Sequence, residues 1–135
     1  MRSSLFSPAK INLGLSIVGR RKDGFHLLQS LFWPISFGDF LDIEPGEGRV
    51  SASWASTAPF GEKTLPKEED NIVTKVLRNL PSPINKLNVD IRKNIPMGGG
   101  LGGGSSNIGT ILRHLRLQKE INSENLANWS CQYGA

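Results

Sequence analysis

One cysteine, one tyrosine, two histidines and two methionines among 135 residues leave little material for several kinds of chemistry. Cys131 stands alone, so it can neither close an internal disulfide nor join a cysteine metal site, and it is expected as a small, partly buried apolar residue. No apolar run approaches the length of a transmembrane helix, and Met1 to Ala9 is too short and too polar for a secretory signal; a cytoplasmic protein is expected. Charge is not blocked together. The net charge of +4 and pI near 9.5 suit an anionic partner, nucleic acid or nucleotide, and composition does not separate the two. The basic residues are scattered apart from Arg20-Arg21-Lys22, expected as a solvated turn, and no aromatic residues alternate with them as in a single-strand binder. No internal repeat or linker divides the chain. With 38% hydrophobic and 21% charged residues it has the composition of one globular domain with a real core.

Glycine, by contrast, is abundant, with 15 residues. Six of them fall within seven positions, in the run Pro96-Met97-Gly98-Gly99-Gly100-Leu101-Gly102-Gly103-Gly104-Ser105-Ser106-Asn107. Residues without a Cβ allow positive φ and let backbone N–H groups approach an anion closely. A helix expected to begin near Ser105 would aim unpaired N–H groups and a positive dipole end at the same point. The run lacks the Gly-Lys-Ser/Thr ending of a Walker A loop and is not followed by the βαβ unit and acidic residue of a dinucleotide fingerprint. A flexible linker is the plain alternative, but linkers are not flanked by a strand pattern ending at Asn94 and a capped helix. A phosphate-binding loop is therefore expected.

Around it the pattern is α+β. Ala9 to Val18 alternates Ile11, Leu13, Leu15 and Ile17 against Lys10, Asn12, Gly14 and Ser16, which predicts a half-buried strand whose polar face opens with a lysine and an amide. Arg20 to Gly24 is a turn, Phe25 to Phe37 a second extended segment interrupted by Pro34, and Gly38-Asp39 a turn into a strand from Phe40 to Glu44. The first half therefore reads as antiparallel β. Val50, Ala52 and Trp54 form a further strand, followed by a surface loop from Ser56 to Glu69. Asp70 is expected to cap a helix to Leu80 with Ile72, Val73, Val76, Leu77 and Leu80 on one stripe, ended by Pro81. Leu87, Val89 and Ile91 make another strand. Ile108, Ile111, Leu112 and Leu115 bury the helix behind the glycine run, and Ser123 caps a short last helix with Leu126 and Trp129.

The glycine run with its Ser-Ser-Asn resembles the phosphate motif of the GHMP kinases, small-molecule kinases that cradle ATP on a glycine loop and helix N-terminus. Ser7-Pro-Ala-Lys-Ile-Asn-Leu13 together with Gly19-Arg-Arg-Lys-Asp-Gly-Phe-His-Leu-Leu-Gln-Ser-Leu-Phe32 is similar to the branch acting on a cytidine diphosphate-linked methylerythritol in the non-mevalonate isoprenoid pathway. The resemblance runs from about Ser7 to Ala135, loosely between Arg49 and Glu69. It implies the family's N-terminal domain, a mostly antiparallel mixed sheet packed with helices, with the glycine loop opening a buried helix. It further implies phosphorylation of a substrate 2-hydroxyl by ATP with Mg²⁺, a small-molecule partner rather than nucleic acid or a membrane, and no assigned protein ligand to a metal.

Residue by residue, the resemblance makes Lys10 the lysine beside the attacking hydroxyl, where an ammonium biases the hydroxyl proton and offsets charge on the transferring phosphoryl. Asn12, on the same strand face, is placed to bond the erythritol part. Phe25 and His26 match a pair that holds the cytosine ring; many relatives have Tyr where this chain has Phe25, which keeps the π-face and loses the hydroxyl. Asn71 matches a position near adenine, with the start of the helix as its rival role. Lys93 matches a basic residue beside the triphosphate. Pro96 to Ser106 form the loop, with Ser105 and Ser106 able to donate to phosphate or reach Mg²⁺, or simply to open the helix. The family's Gly-Ala-Asp segment supplies an aspartate that acts with the lysine, and the sequence stops at Gly134-Ala135. The resemblance thus implies an N-terminal portion lacking that aspartate and a second domain. Two other readings stay open: a GHMP kinase for another alcohol, which should lack the Asp23-Gly24-Phe25-His26 block, and a non-catalytic nucleotide-binding or nucleic-acid-binding module.

Overall fold

A computed structural model describes residues 1–59 and 64–133. Its elements run β1 (Ser3–Arg20), β2 (His26–Pro45), β3 (Val50–Trp54), α1 (Ile72–Arg78), β4 (Leu87–Lys93), α2 (Gly103–Leu117) and α3 (Ser123–Tyr133), with 3₁₀ turns at 68–70 and 84–86. The sheet order is β1-β2-β4-β3. β1 and β2 pair antiparallel from Ser3↔Ile43 to Arg20↔His26, β2 and β4 antiparallel from Phe40↔Arg92 to Pro45↔Leu87, and β3 lies parallel to β4. The α+β reading and the antiparallel pairing expected in the first half stand.

The core lies between one face of this sheet and the helices. Leu41, Ile43, Val50, Val89 and Ile91 face Val73, Val76 and Leu77 of α1 and Ile108, Ile111, Leu112 and Leu115 of α2. Each such side chain contributes about 1.5–3 kcal/mol on full burial. The period-two and period-3.6 patterns of these segments are what the structure uses, with Ile72 left outside the stripe and half exposed.

The strand around Lys10 departs from expectation. Ile11, Leu13, Leu15 and Ile17 do alternate, but they are 38–66% exposed. Only the Phe40–Pro45 part of β2 has β4 on its other edge, and most residues of the ribbon from Ile11 to Trp33 are exposed. The burial on β1 falls instead on Ser7 and Ala9. Gly38-Asp39 is not a turn; β2 passes straight through it. A Cβ at Gly38 would lie 2.2 Å from the Ser7 carbonyl oxygen and 2.9 Å from the Phe6 ring, so the glycine serves close strand approach.

Helix starts shift by one or two residues. α1 is capped by Asn71 rather than Asp70, its Oδ1 accepting from the Val73 N–H at 2.9 Å. In α3 the Asn122 side chain accepts from the Asn125 N–H at 2.7 Å, the bond expected of Ser123, while the Ser123 hydroxyl accepts from Arg116. Leu126 and Trp129 pack on the core as expected, whereas Cys131 is exposed, on the outer side of this terminal helix. Part of the loop expected over 56–69, residues 60–63, and the chain end at Gly134-Ala135 lie outside the described residues.

Candidate functional site

Past the end of β4 the chain must reverse into α2, and a buried carboxylate organises the reversal. Asp39, fully buried, accepts from the N–H groups of Asn94 (2.8 Å) and Ile95 (2.9 Å) through Oδ1, while its Oδ2 pairs with the Lys93 ammonium. Asn94 returns a bond from its side-chain amide to the Gly38 carbonyl at 2.8 Å. A buried cation is tolerated only with such a partner. Reading Gly38-Asp39 as a turn missed this residue, because its partners are more than fifty positions away in the chain.

From Pro96 the glycine run unfolds its anticipated geometry. Gly98, Gly100 and Gly102 have φ of +71°, +72° and +71°, alternating with residues of ordinary φ, the backbone alternation that gathers N–H groups into an anion-binding concavity. The Lys10 N–H donates to the Leu101 carbonyl at 3.0 Å, tying the loop to β1. α2 then opens at Gly103, capped by Gly102 without a side-chain bond, so the expected start near Ser105 moves two residues earlier. Space is tight there: a Cβ on Gly103 would meet Ile95 at 3.0 Å and the Lys93 ammonium at 3.2 Å, and one on Gly104 would meet Ile72 at 3.0 Å. The N–H groups of Gly103, Gly104 and Ser105, in the first helical turn, have no partner within the helix.

This loop is one wall of a cavity of about 390 Å³ that runs from Pro96 to Ser105 and is closed by Ala52, Leu65, Asn71, Ile72, Lys93 and Asn107. Asn71 caps α1 with its side-chain oxygen and is also one of the residues lining this cavity. Asn107 was read only as part of a helix opening. It is 3% exposed, lines the same cavity, and its Oδ1 has no hydrogen-bond partner among the described residues. A buried amide oxygen without a partner is uncommon, and nothing in the sequence distinguishes this residue from its neighbours.

On the other side of Gly102 and Ser105 lies a second, more open groove of about 750 Å³, bounded by β1, Phe32, Pro34 and the outer face of α2, with Lys10, Arg113 and His114 in its lining. The Lys10 ammonium donates to Asn12 Oδ1 at 2.6 Å and stands 4.9 Å from the centre of the Phe32 ring, and Asn12 donates to the Ser30 hydroxyl at 2.9 Å. Lys10 and Asn12 are thus brought together, beside the loop. Ser105 borders both spaces with its hydroxyl unpartnered among the described residues, while Ser106 borders only the groove and is bonded to β1. Phe25 and His26 are elsewhere. They sit at the exposed tip of the β1–β2 ribbon, where the Phe25 N–H donates to Asp23 Oδ1 at 3.2 Å. His26 pairs with Arg20 and Pro34 with Lys10, so about 26 Å of strand separates the tip from the lysine at about 3.3 Å per residue.

The sequence matches the model of the GHMP kinases N-terminal domain over residues 71–135. It is similar to the 4-diphosphocytidyl-2-C-methyl-D-erythritol kinase of Hahella chejuensis (strain KCTC 2396), 40% identical over 98% of this chain and 47% of that protein. The protein of the same name from Protochlamydia amoebophila (strain UWE25) is 39% identical over 97% of this chain and 45% of its own length. A crystal structure of 4-(cytidine 5'-diphospho)-2C-methyl-D-erythritol kinase superposes with a TM-score of 0.68 at 31% identity, covering 98% of this chain and 46% of that one. A phosphotransferase related to the CoA biosynthesis pathway, with a TM-score of 0.58 at 16% identity, shares the fold. The chain spans about half the length of the curated relatives it matches. With its glycine loop, the helix that the loop opens and the strand that carries Lys10, the chain belongs to the GHMP kinases, and its sequence stands with the branch whose members are named 4-diphosphocytidyl-2-C-methyl-D-erythritol kinase.

Proposed function

We propose that this chain forms the nucleotide-binding wall of a cytoplasmic, ATP-dependent kinase that phosphorylates the 2-hydroxyl of 4-diphosphocytidyl-2-C-methyl-D-erythritol. The observation that carries the reading is the meeting of three things at Gly102: the first turn of an anion-binding helix, a loop of alternating φ, and the stem of Lys10. On this reading the triphosphate rests on the N–H groups of Gly103, Gly104 and Ser105, with Lys93 beneath. Asn71 and Asn107 meet the adenine end of the same cavity, beside Pro96 and Met97.

Lys10 faces the groove where the alcohol would enter. The alcohol oxygen attacks the γ-phosphorus, the bond to the ADP oxygen breaks, and the hydroxyl proton leaves; a cation at Lys10 lowers the cost of the charge passing through the transferring group. Asn12, already bonded to Lys10, would orient the erythritol part. Phe25 and His26 would hold the cytosine ring, with the elongated substrate lying along the ribbon. Mg²⁺ would be carried mainly by the phosphates, with the free Ser105 hydroxyl as this chain's nearest donor. The proton acceptor and the opposite wall of the cleft would come from a segment equivalent to the second half of the relatives.

The test is calorimetric titration of the chain with ATP and with adenosine, then ADP release with the cytidine substrate once such a segment is joined. ATP should bind more tightly than adenosine, and the joined protein should turn over. Binding to DNA or RNA that falls steeply with salt, with none to ATP, would replace the kinase reading by a polyanion-binding one.

A further inference from the structure

Ser106 sits where a phosphate or metal ligand would be expected, directly after the glycine loop, yet both of its polar groups are committed to the protein. Its N–H donates to the Gly102 carbonyl at 2.8 Å, and its hydroxyl donates to the Pro8 carbonyl at 2.6 Å while accepting from the Ser7 hydroxyl at 3.0 Å. Ser7 is fully buried. The ladder between β1 and β2 is interrupted between Pro8 and Lys10, and at this interruption the Pro8 carbonyl and the Lys10 N–H both bond to the loop and helix, to Ser106 and Leu101 respectively. Two strand groups two residues apart are thus clamped by the end of the loop and the first turn of α2, and between them the Lys10 stem lies against Gly102.

We propose that Ser106, supported by Ser7, is a positioning residue: it locks β1 onto the first turn of α2 so that Lys10 is held over the phosphate loop, and it is not a ligand to phosphate or Mg²⁺. Its consequence for catalysis rests on the kinase reading; the lock itself does not. Ser105, which borders both spaces, is the hydroxyl left for the nucleotide.

Amide hydrogen exchange and calorimetry on the chain decide the matter. Ser106→Ala should speed exchange at the Lys10 amide by about tenfold or more, while Val89 and Ile91 in β4 stay within about twofold. Ser7→Ala should act in the same direction and more weakly. The double variant should be no worse than Ser106→Ala alone, because Ser7 acts through Ser106. ATP affinity of Ser106→Ala should stay within about threefold with and without Mg²⁺, and in a complete enzyme kcat should fall while KM for ATP holds. Unchanged exchange at Lys10, or a rise shared by β4, would overturn the lock; a Mg²⁺-dependent loss of ATP affinity would make Ser106 a metal ligand instead. If the parent chain binds no ATP, the kinase reading fails, and the exchange pattern still tests the lock.

Discussion

Two glycines with the same backbone and different surroundings separate the demands on the loop. Gly100 and Gly102 have φ of +72° and +71°, so alanine at either carries the same left-handed penalty, about 1 kcal/mol. At Gly100 the new methyl meets nothing within 4 Å; at Gly102 it lies 3.1 Å from Cγ and 3.3 Å from Cε of Lys10. Lysine is flexible, but this one is pinned at its backbone by Leu101 and at its ammonium by Asn12 and the Phe32 ring. Displacing it gives up a hydrogen bond of about 0.5–1.5 kcal/mol and a cation–π contact of about 0.5–1 kcal/mol. Gly100→Ala should therefore destabilise by about 1 kcal/mol and Gly102→Ala by about 2–3 kcal/mol, read from urea unfolding. In a Lys10→Ala background the excess at Gly102 should vanish. Equal losses for both glycines, or an excess that survives removal of the Lys10 side chain, would refute the argument. The ATP titration should follow the same order.

The buried pair gives a second prediction: Asp39→Ala strands the Lys93 ammonium and should destabilise by about 3–5 kcal/mol, while Asp39→Asn combined with Lys93→Met should be milder than the sum of the single changes in thermal unfolding. Asp42 is held below the usual carboxylate range, chiefly by the Ser4 hydroxyl, against burial and with help from Arg2 and Arg92. Its contribution is present above the unfolded carboxylate pKa and is lost as pH falls through the lower folded value, so Asp42→Asn should flatten the acid limb of stability; an unchanged limb counts against it. Phe25, 72% exposed, should tolerate Phe25→Ala within about 0.5 kcal/mol of stability, yet in a complete enzyme KM for the cytidine substrate should rise about tenfold with ATP affinity unmoved. Lys10→Ala in that enzyme should abolish most turnover and spare ATP binding, as ADP release and calorimetry would show separately.

Local pattern was enough for much of this molecule. The alternation of Leu87, Val89 and Ile91, the stripe of Ile108, Ile111, Leu112 and Leu115, and the glycine run before them are short-range signals, and β4, α2 and the loop of positive-φ glycines all occur where those signals lie. Asn71 lay within one residue of the expected cap, because capping is itself a local bond. Period two marked Ile11 to Ile17 as a strand but could not say whether anything covers it, since burial depends on which other elements reach that face. The same holds for Asp39, which looked like half a turn until Lys93, Asn94 and Ile95 closed around it. Asn107 and Ser106 stand one position apart in a polar triplet, and only the packing of α2 against β1 and over the cavity leaves one amide oxygen without a partner and gives the neighbouring hydroxyl two. What a residue is near in sequence determined its secondary structure here. What it does at the site was decided by contacts across about fifty to a hundred positions, which no local periodicity encodes.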